Sequence, residues 1–538
     1  MDGCIQKIRS WSATHTSGGV SILLGRSKRG LMMALVGLLA ITGMGGSTLA
    51  AELVIAVNSP TPTADPSIGS SVPHQRILTA TYETLLAIDP ESNELAPHLA
   101  TAWSANDERT SYLVTLREGV TFHDGATFDA SAVKAAFERT MTIGQGEAYL
   151  ISSIEGIVVE SPTQVRFNLK QSQPEFIFAL TRMFIMSPKA TVEHEVDGDL
   201  ARGWYATNTA GTGPYRITEW VDGQRYVLDR FDDYWRGWEG QHLDRITFRI
   251  VIEGATQRLL LESGEVHVAE NIVQEDVRNL ERNPGIQVIR NSSPRPFYIS
   301  FNTQRSPLDD VRVRKAIALA LDYEAALEIG LAGFGSPMRG PVPAQFPGFD
   351  DTIAPAEMNL EEARTLLAEA GYPNGGFDLT FLYLEHWTFE RSVGLLLQEA
   401  LAELGIGLGV EGQPWATMTA RMSDHANAPD LVMYAQTTAT PSAFTILDPM
   451  YRSTSNHWSH FWYDNPEVDR LLAAAATEVD DNQRSEIYKE IQQIIVADQP
   501  AMFVFSQDEV VTMRTNVHGY RPQMTWSKVL NWYDLYIE

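Results

Sequence analysis

Residues 294–321 read PRPFYISFNTQRSPLDDVRVRKAIALAL, and a change of period inside this stretch decides the fold class. Phe297, Ile299 and Phe301 alternate with Tyr298, Ser300 and Asn302, which predicts a half-buried strand because successive strand side chains point to opposite faces. After a Pro-containing turn, Val313, Ile317, Ala320 and Leu321 fall on one helix face, with Arg312, Arg314 and Lys315 elsewhere. Asp309 or Asp310 can accept the unsatisfied N–H groups where that helix begins. A strand that hands the chain to an amphipathic helix implies an α/β class, and by itself no function.

The same alternation of periods recurs on both sides. Glu52–Val57 suits a buried first strand, and the Asn/Ser/Pro/Thr-rich loop Asn58–Ser71 that ends it is of the kind that lines sites. Tyr112, Val114 and Leu116 predict a strand, as do Val165, Phe167 and Leu169, and later Ile246, Phe248 and Ile250. Asp129 can cap a helix carrying Val133, Phe137 and Met141, Asp222-Gly223 supplies a hairpin turn, and Gly264 stops a helix over Gln257–Ser263. Beyond residue 321 a second α/β unit follows: a capping box at Asn359 and Glu362, strand Phe377–Leu384, helix Val393–Leu404 and strand Ile406–Val410. Asn465-Pro466 opens a further helix, Ile487, Ile491 and Ile495 mark a face of the next, and Ala501–Ser506 is a short apolar strand.

At 538 residues the chain exceeds one ordinary core, so two or three domains are expected. Residues 1–50 have the form of an export signal: basic Arg26, Lys28 and Arg29, an apolar run Leu31–Met44, and small residues ending at Ala50. That run is short for a membrane span. Its removal takes away Lys7, Arg9, Arg26, Lys28, Arg29 and Asp2 and deepens the net charge from −27 to −31. Such a surface repels nucleic acid, which is excluded as a partner. The sole cysteine, Cys4, lies in the leader, so the exported protein has no disulfide or thiol nucleophile.

Catalytic patterns are sparse. Gly-x-Ser-x-Gly, the phosphate-binding GxxxxGK[ST], a strand-linked GxGxxG and HExxH are all missing. Ser131-Ala132-Val133-Lys134 matches the SxxK of penicillin-recognising enzymes, but their SDN and KTG partners are missing and a first-turn serine is the common explanation. His457 and His460 have helix-face spacing but no further ligand set, which favours solvated loop histidines over a metal site. Open sheets bind ligands at the carboxyl ends of their strands. On that ground Trp387, Trp415, Tyr434, Gln436 and Thr437, which follow or end second-unit strands, are as a set candidate ligand contacts, although each taken singly is more often core or rim.

Several blocks, in order, resemble the extracytoplasmic solute-binding proteins, family 5, which includes dipeptide-, oligopeptide- and nickel-binding proteins of ABC importers. They are Tyr82-Glu83 with Leu85, Leu99-Ala100 with Trp103, LREGVTFHDGATFDASAV at 116–133, Gly211–Trp235, and FNT at 301–303 followed by PLDDVRVRKAIALALD at 307–322. The resemblance implies an α/β, two-lobed periplasmic-binding-protein type II fold (cluster C), with an extra subdomain in the first lobe and a two-strand hinge. It divides the chain into a signal peptide (1–50), first lobe (51–86), extra subdomain (87–208), first lobe again (209–300), second lobe (301–500) and a return to the first lobe (501–538). It further implies a monomeric periplasmic protein, not an enzyme, with no catalytic residue, cofactor or metal. Such a protein captures a small-molecule or peptide-like ligand between its lobes and delivers it to an inner-membrane ABC permease complex. The alternatives are a metal-chelate-binding protein of the same family and a secreted hydrolase of the penicillin-recognising type.

Two positions bear on the ligand. Thr181-Arg182-Met183-Phe184 resembles the place where nickel-complex-binding members keep an arginine for the chelator's carboxylate, although a basic residue in such a run also commonly snorkels to the surface. Peptide-binding members carry an aspartate for the α-amino group four residues before a proline; counting back from Pro441 gives Thr437, which cannot bear that charge. Modified-peptide, opine-like, sugar-conjugate or chelate ligands are therefore expected ahead of ordinary free-amino peptides.

Overall fold

The computed structural model describes residues 50–538 apart from 91, 424–427, 437–439, 455–461 and 523–528, and within elements omits the side chains of 274, 275, 293 and 294. Its frame is two long antiparallel strands, Ile286–Phe301 and Ala501–Arg514, paired from Ile286 opposite Arg514 to Ser300 opposite Ala501. Alternation at 297–302 marks only the end of the first of these. Nor is that end half-exposed. Phe297, Ile299 and Phe301 are buried against the helices of one side, while Tyr298 packs with Tyr434 and Phe503 on the other. Helices cover both faces here, so Ser300 and Asn302 are buried too, and the Ser300 hydroxyl donates to the Val432 carbonyl at 3.3 Å. Of the two candidate caps, Asp310 is the one used: its carboxylate accepts from Arg312 N at 2.8 Å and opens helix Val311–Ala320.

Among the described residues these strands are the middle of an eleven-stranded sheet. On the first-lobe side, Ala501–Arg514 pairs with Val268–Ala269, which is followed by Glu52–Val57, Arg245–Ile250, Arg225–Arg230 and Tyr215–Val221. On the second-lobe side, Ile286–Phe301 pairs with Leu431–Ala435, then Phe377–Leu384 and Ile406–Gln413. Each lobe has its own apolar core, one around Leu53, Ile55, Phe248 and Trp532, the other around Phe297, Ile317, Phe381 and Leu397. The fold is thus α/β and two-lobed, with two strands crossing between the lobes.

The extra subdomain is a four-stranded antiparallel sheet, Ala100–Ala105, Ser111–Leu116, Gln164–Leu169 and Ile154–Ser161, packed on helix Ala130–Ile143. Asp129 caps that helix through Ala132 N, and Gly144, at φ 64°, ends it in the left-handed conformation that glycine adopts without steric cost. Buried carboxylates tie the subdomain to the first lobe. Glu83, which also accepts from first-lobe Thr212, Tyr234 and Trp235, meets subdomain His98 at 3.2 Å, and Asp65 takes both guanidinium arms of subdomain Arg139 at 2.7 Å. The Tyr82-Glu83 block is therefore structural at its glutamate.

Candidate ligand cleft between the lobes

The strand ends set the geometry. Phe377–Leu384 and Ile406–Gln413 run parallel with Leu384 opposite Gln413, so the residues after them emerge along one edge of the second lobe. Leu431–Ala435 ends where Gln436 N donates to the Pro296 carbonyl at 3.0 Å, beside the crossing strands. On the first lobe, Asn58 and Ser59 follow the first strand, and Arg76, on helix Val72–Thr81, makes a two-armed ion pair with Glu270, its Nε donating at 2.8 Å.

Between these groups lies a cavity of 910 Å³, lined by Asn58, Arg76 and Glu270 from the first lobe, Arg295 and Glu509 from the crossing strands, and Trp387 from the second lobe. Trp387 occupies the N-cap of helix Thr388–Ala402, which begins a turn earlier than the apolar face at 393–404 suggests. Its ring centre is 5.7 Å from those of both Phe297 and Phe389. In the first turn of that helix, Glu390 is fully buried; one oxygen accepts from Leu384 N at 2.9 Å and the other has no hydrogen-bond partner. Burial pushes its carboxyl up to about 8, against the opposing pull of the Leu384 N–H and the Arg295 charge. Burial likewise lowers the Arg295 guanidinium from its ordinary range, with Glu390 and Glu509 opposing.

A second cavity, of 480 Å³, separates the extra subdomain from the second lobe and is lined by Trp103, Tyr112, Glu175, Ser442, Arg484 and Tyr488. Arg484 pairs with Glu175 across it at 3.4 Å, and the Tyr488 hydroxyl donates to the same carboxylate at 3.2 Å.

The predicted site residues are dispersed. Trp387 lines the larger cavity. Trp415 opens helix Trp415–Ser423 at the same sheet edge and is 43% exposed, an unusual setting for so large an apolar ring. Tyr434 is buried in the second-lobe core beside Tyr298, and Gln436 is buried at the crossing strands. Thr437, His457 and His460 lie outside the described residues. Arg182 is buried inside the extra subdomain, where it donates to Glu147 at 2.6 Å, and it lines neither cavity. Among the described residues no cluster of three His, Cys, Asp or Glu is arranged to hold a metal ion. Ser131 is exposed in a first helical turn, while Lys134 reaches the Ile157 carbonyl and Glu138 at 2.9 and 2.8 Å. Arg295 was not anticipated: it stands between two prolines, and its surroundings come from a helix nearly a hundred residues later.

An α/β molecule with two lobes, two crossing strands and a cavity between them belongs to the class of bilobal solute-binding proteins. The family is specified by residues 94–458, which match the model for bacterial extracellular solute-binding proteins, family 5 Middle; the chain belongs to this family. It is 28% identical to the probable D,D-dipeptide-binding periplasmic protein DdpA of Escherichia coli, over 87% of this chain and 91% of that one. To the glutathione-binding protein GsiB of Salmonella paratyphi A it is 28% identical over 91% and 95%. The crystal structure of the ABC transporter substrate-binding protein CtaP from Listeria monocytogenes superposes with a TM-score of 0.82 at 23% identity, over 91% of this chain and 99% of that one.

Proposed function

We propose that this protein is the periplasmic component of an ABC importer, capturing a small peptide-like solute between its lobes and presenting it to an inner-membrane permease. The observation that carries this reading is the 910 Å³ cavity bounded by both lobes and the strands that join them, a volume suited to a small peptide or a conjugate. Similarity along nearly the whole length to the dipeptide- and glutathione-binding relatives supports the peptide-like class. In this reading Trp387 and Trp415 supply stacking faces, and the protein binds without transforming its ligand. The lobes divide near residues 300 and 500, the protein acts as a monomer, and residues 1–50 direct export.

Native mass spectrometry of the gently purified protein tests the reading directly. A retained solute of a few hundred daltons is expected, and calorimetry with that solute should give one site per chain. Hydrolysis of nitrocefin, or release of cleaved solute, would overturn it in favour of an enzyme. Thr437 in place of a carboxylate further predicts weak binding of simple dipeptides with a free α-amino group. Thr437→Asp should strengthen binding of L-alanyl-L-alanine, and tight binding of that dipeptide by the unmodified protein would refute this part.

A further inference from the structure

The larger cavity is lined by a cation that no described carboxylate of the protein pairs. Arg295 lines the cavity, its Nε has no hydrogen-bond partner, and among the described residues no carboxylate lies within 4 Å of its guanidinium. Its neighbours are aromatic: the guanidinium carbon is 5.2 Å from the Trp387 ring centre and 5.7 Å from that of Phe297. Ring faces attract a cation but offer nothing to the in-plane N–H fork, which matches a carboxylate. Buried arginines elsewhere are satisfied by the protein itself: Arg76, Arg139, Arg182 and Arg484 are each matched to a carboxylate, and Arg314 donates to the Gln499 and Leu308 carbonyls at 3.0 and 2.7 Å.

The nearby charges narrow the choice of ligand. Arg76 and Glu270 cancel each other across the cavity. Burial raises the carboxyl of neighbouring Glu390 to about 8, and the crossing strand brings both Asp508 and Glu509 to the cavity wall. A site with one uncompensated cation among acidic neighbours admits a single carboxylate, and disfavours a polyanion such as a phosphate monoester.

We propose that Arg295 is the specificity-determining residue of this protein, receiving one carboxylate of the solute against the Trp387 ring. The inference rests on the binding-protein reading and deepens it. It places the carboxylate at the crossing strands, because Arg295 pairs with Gln507 next to the register shift between Asn291 and Arg295.

The test is calorimetry on the full mature chain with D-alanyl-D-alanine, L-alanyl-L-alanine and N-acetyl-L-alanyl-L-alanine, each as the free acid and as the C-terminal amide. At least one free acid should bind, and at least tenfold more tightly than its amide. Arg295→Met should bring the acid down to the affinity of the amide and leave the amide unchanged, and Arg295→Lys should restore part of the difference. Arg295→Gln serves as the second variant if the Met protein melts early. Equal affinity for acid and amide, an acid preference that survives Arg295→Met, or no binding by any free acid overturns the proposal. A solute retained in native mass spectrometry that lacks a carboxylate sinks this inference and leaves the importer reading standing. Absence of both a retained solute and probe binding removes the two together.

Discussion

Glu390 and Arg182 show how position, rather than residue type, decides what a charged side chain does. The Glu390 carboxyl ionises near 4.5 in an unfolded chain and at about 8 in its buried native position. Between those values the native state holds a proton that the unfolded chain has lost. The contribution of this group to stability is therefore fully present below pH 4.5 and falls as pH rises through 8. Glu390→Gln should remove that fall, so urea midpoints of the variant and the original protein should diverge progressively between pH 5 and pH 8.5. Parallel curves would mean that the carboxyl is already ionised in the folded protein. Arg182 occupies an apolar run from which spacing allowed either a surface or a cleft position; its partner Glu147, 35 residues upstream, is visible only in three dimensions. Arg182→Met leaves a buried carboxylate unpaired and should cost about 3–5 kcal/mol of folding stability by urea denaturation. Solute affinity of the folded fraction should stay within about 0.5 kcal/mol of the original.

At the level of elements, much was legible because the signals are local. Asp129, Asp310, Asn359 and Asn465 all accept backbone N–H groups at the helix starts read from sequence, and Gly223 and Gly264 take the positive φ expected of them. Tyr112, Val114 and Leu116 are buried along one strand as their alternation indicates. What failed was the reading of exposure at 297–302, where both sheet faces are covered, and the start of helix Thr388–Ala402, whose first turn is polar and aromatic. Contacts between elements were not legible at all. Glu175, after the subdomain strand Gln164–Leu169, meets Arg484 on helix Asp481–Asp498 of the second lobe, over 300 residues away. Arg484→Met should release this contact. Hydrogen exchange should then accelerate at amides 173–180 while the amides of strand Phe377–Leu384, deep in the second lobe, keep their protection. Unchanged exchange at 173–180 would show that the apolar packing of Phe176 and Ile177 and the Tyr488 hydroxyl bond to Glu175 hold the segment without Arg484.

At the scale of the molecule, the joint is the pair of crossing strands, and its weak point is defined by register. Asn291 faces Glu509 and Arg295 faces Gln507, so four steps on one strand oppose two on the other. Extra residues in one strand interrupt the ladder and bend it, which concentrates flexing where the ladder is already broken. Pro294 and Pro296, which donate no ladder hydrogen bond, sit at or beside this place. A solute that touches first-lobe and second-lobe walls of the 910 Å³ cavity interacts fully only when the lobes are together, and a ligand shifts such an equilibrium only by its difference in affinity for the two states. Moving the population from about 1:99 to 99:1 takes about 5.5 kcal/mol of that difference. The Glu175–Arg484 pair joins the subdomain to the second lobe without solute, so Arg484→Met should open the unliganded protein further than the original. Small-angle scattering should therefore give a radius of gyration that is largest for unliganded Arg484→Met, smaller for the unliganded original, and smallest and equal for both at saturating solute. A radius that stays constant through saturation in both proteins would mean that the crossing strands are a rigid strut and that the solute enters a cleft that never closes.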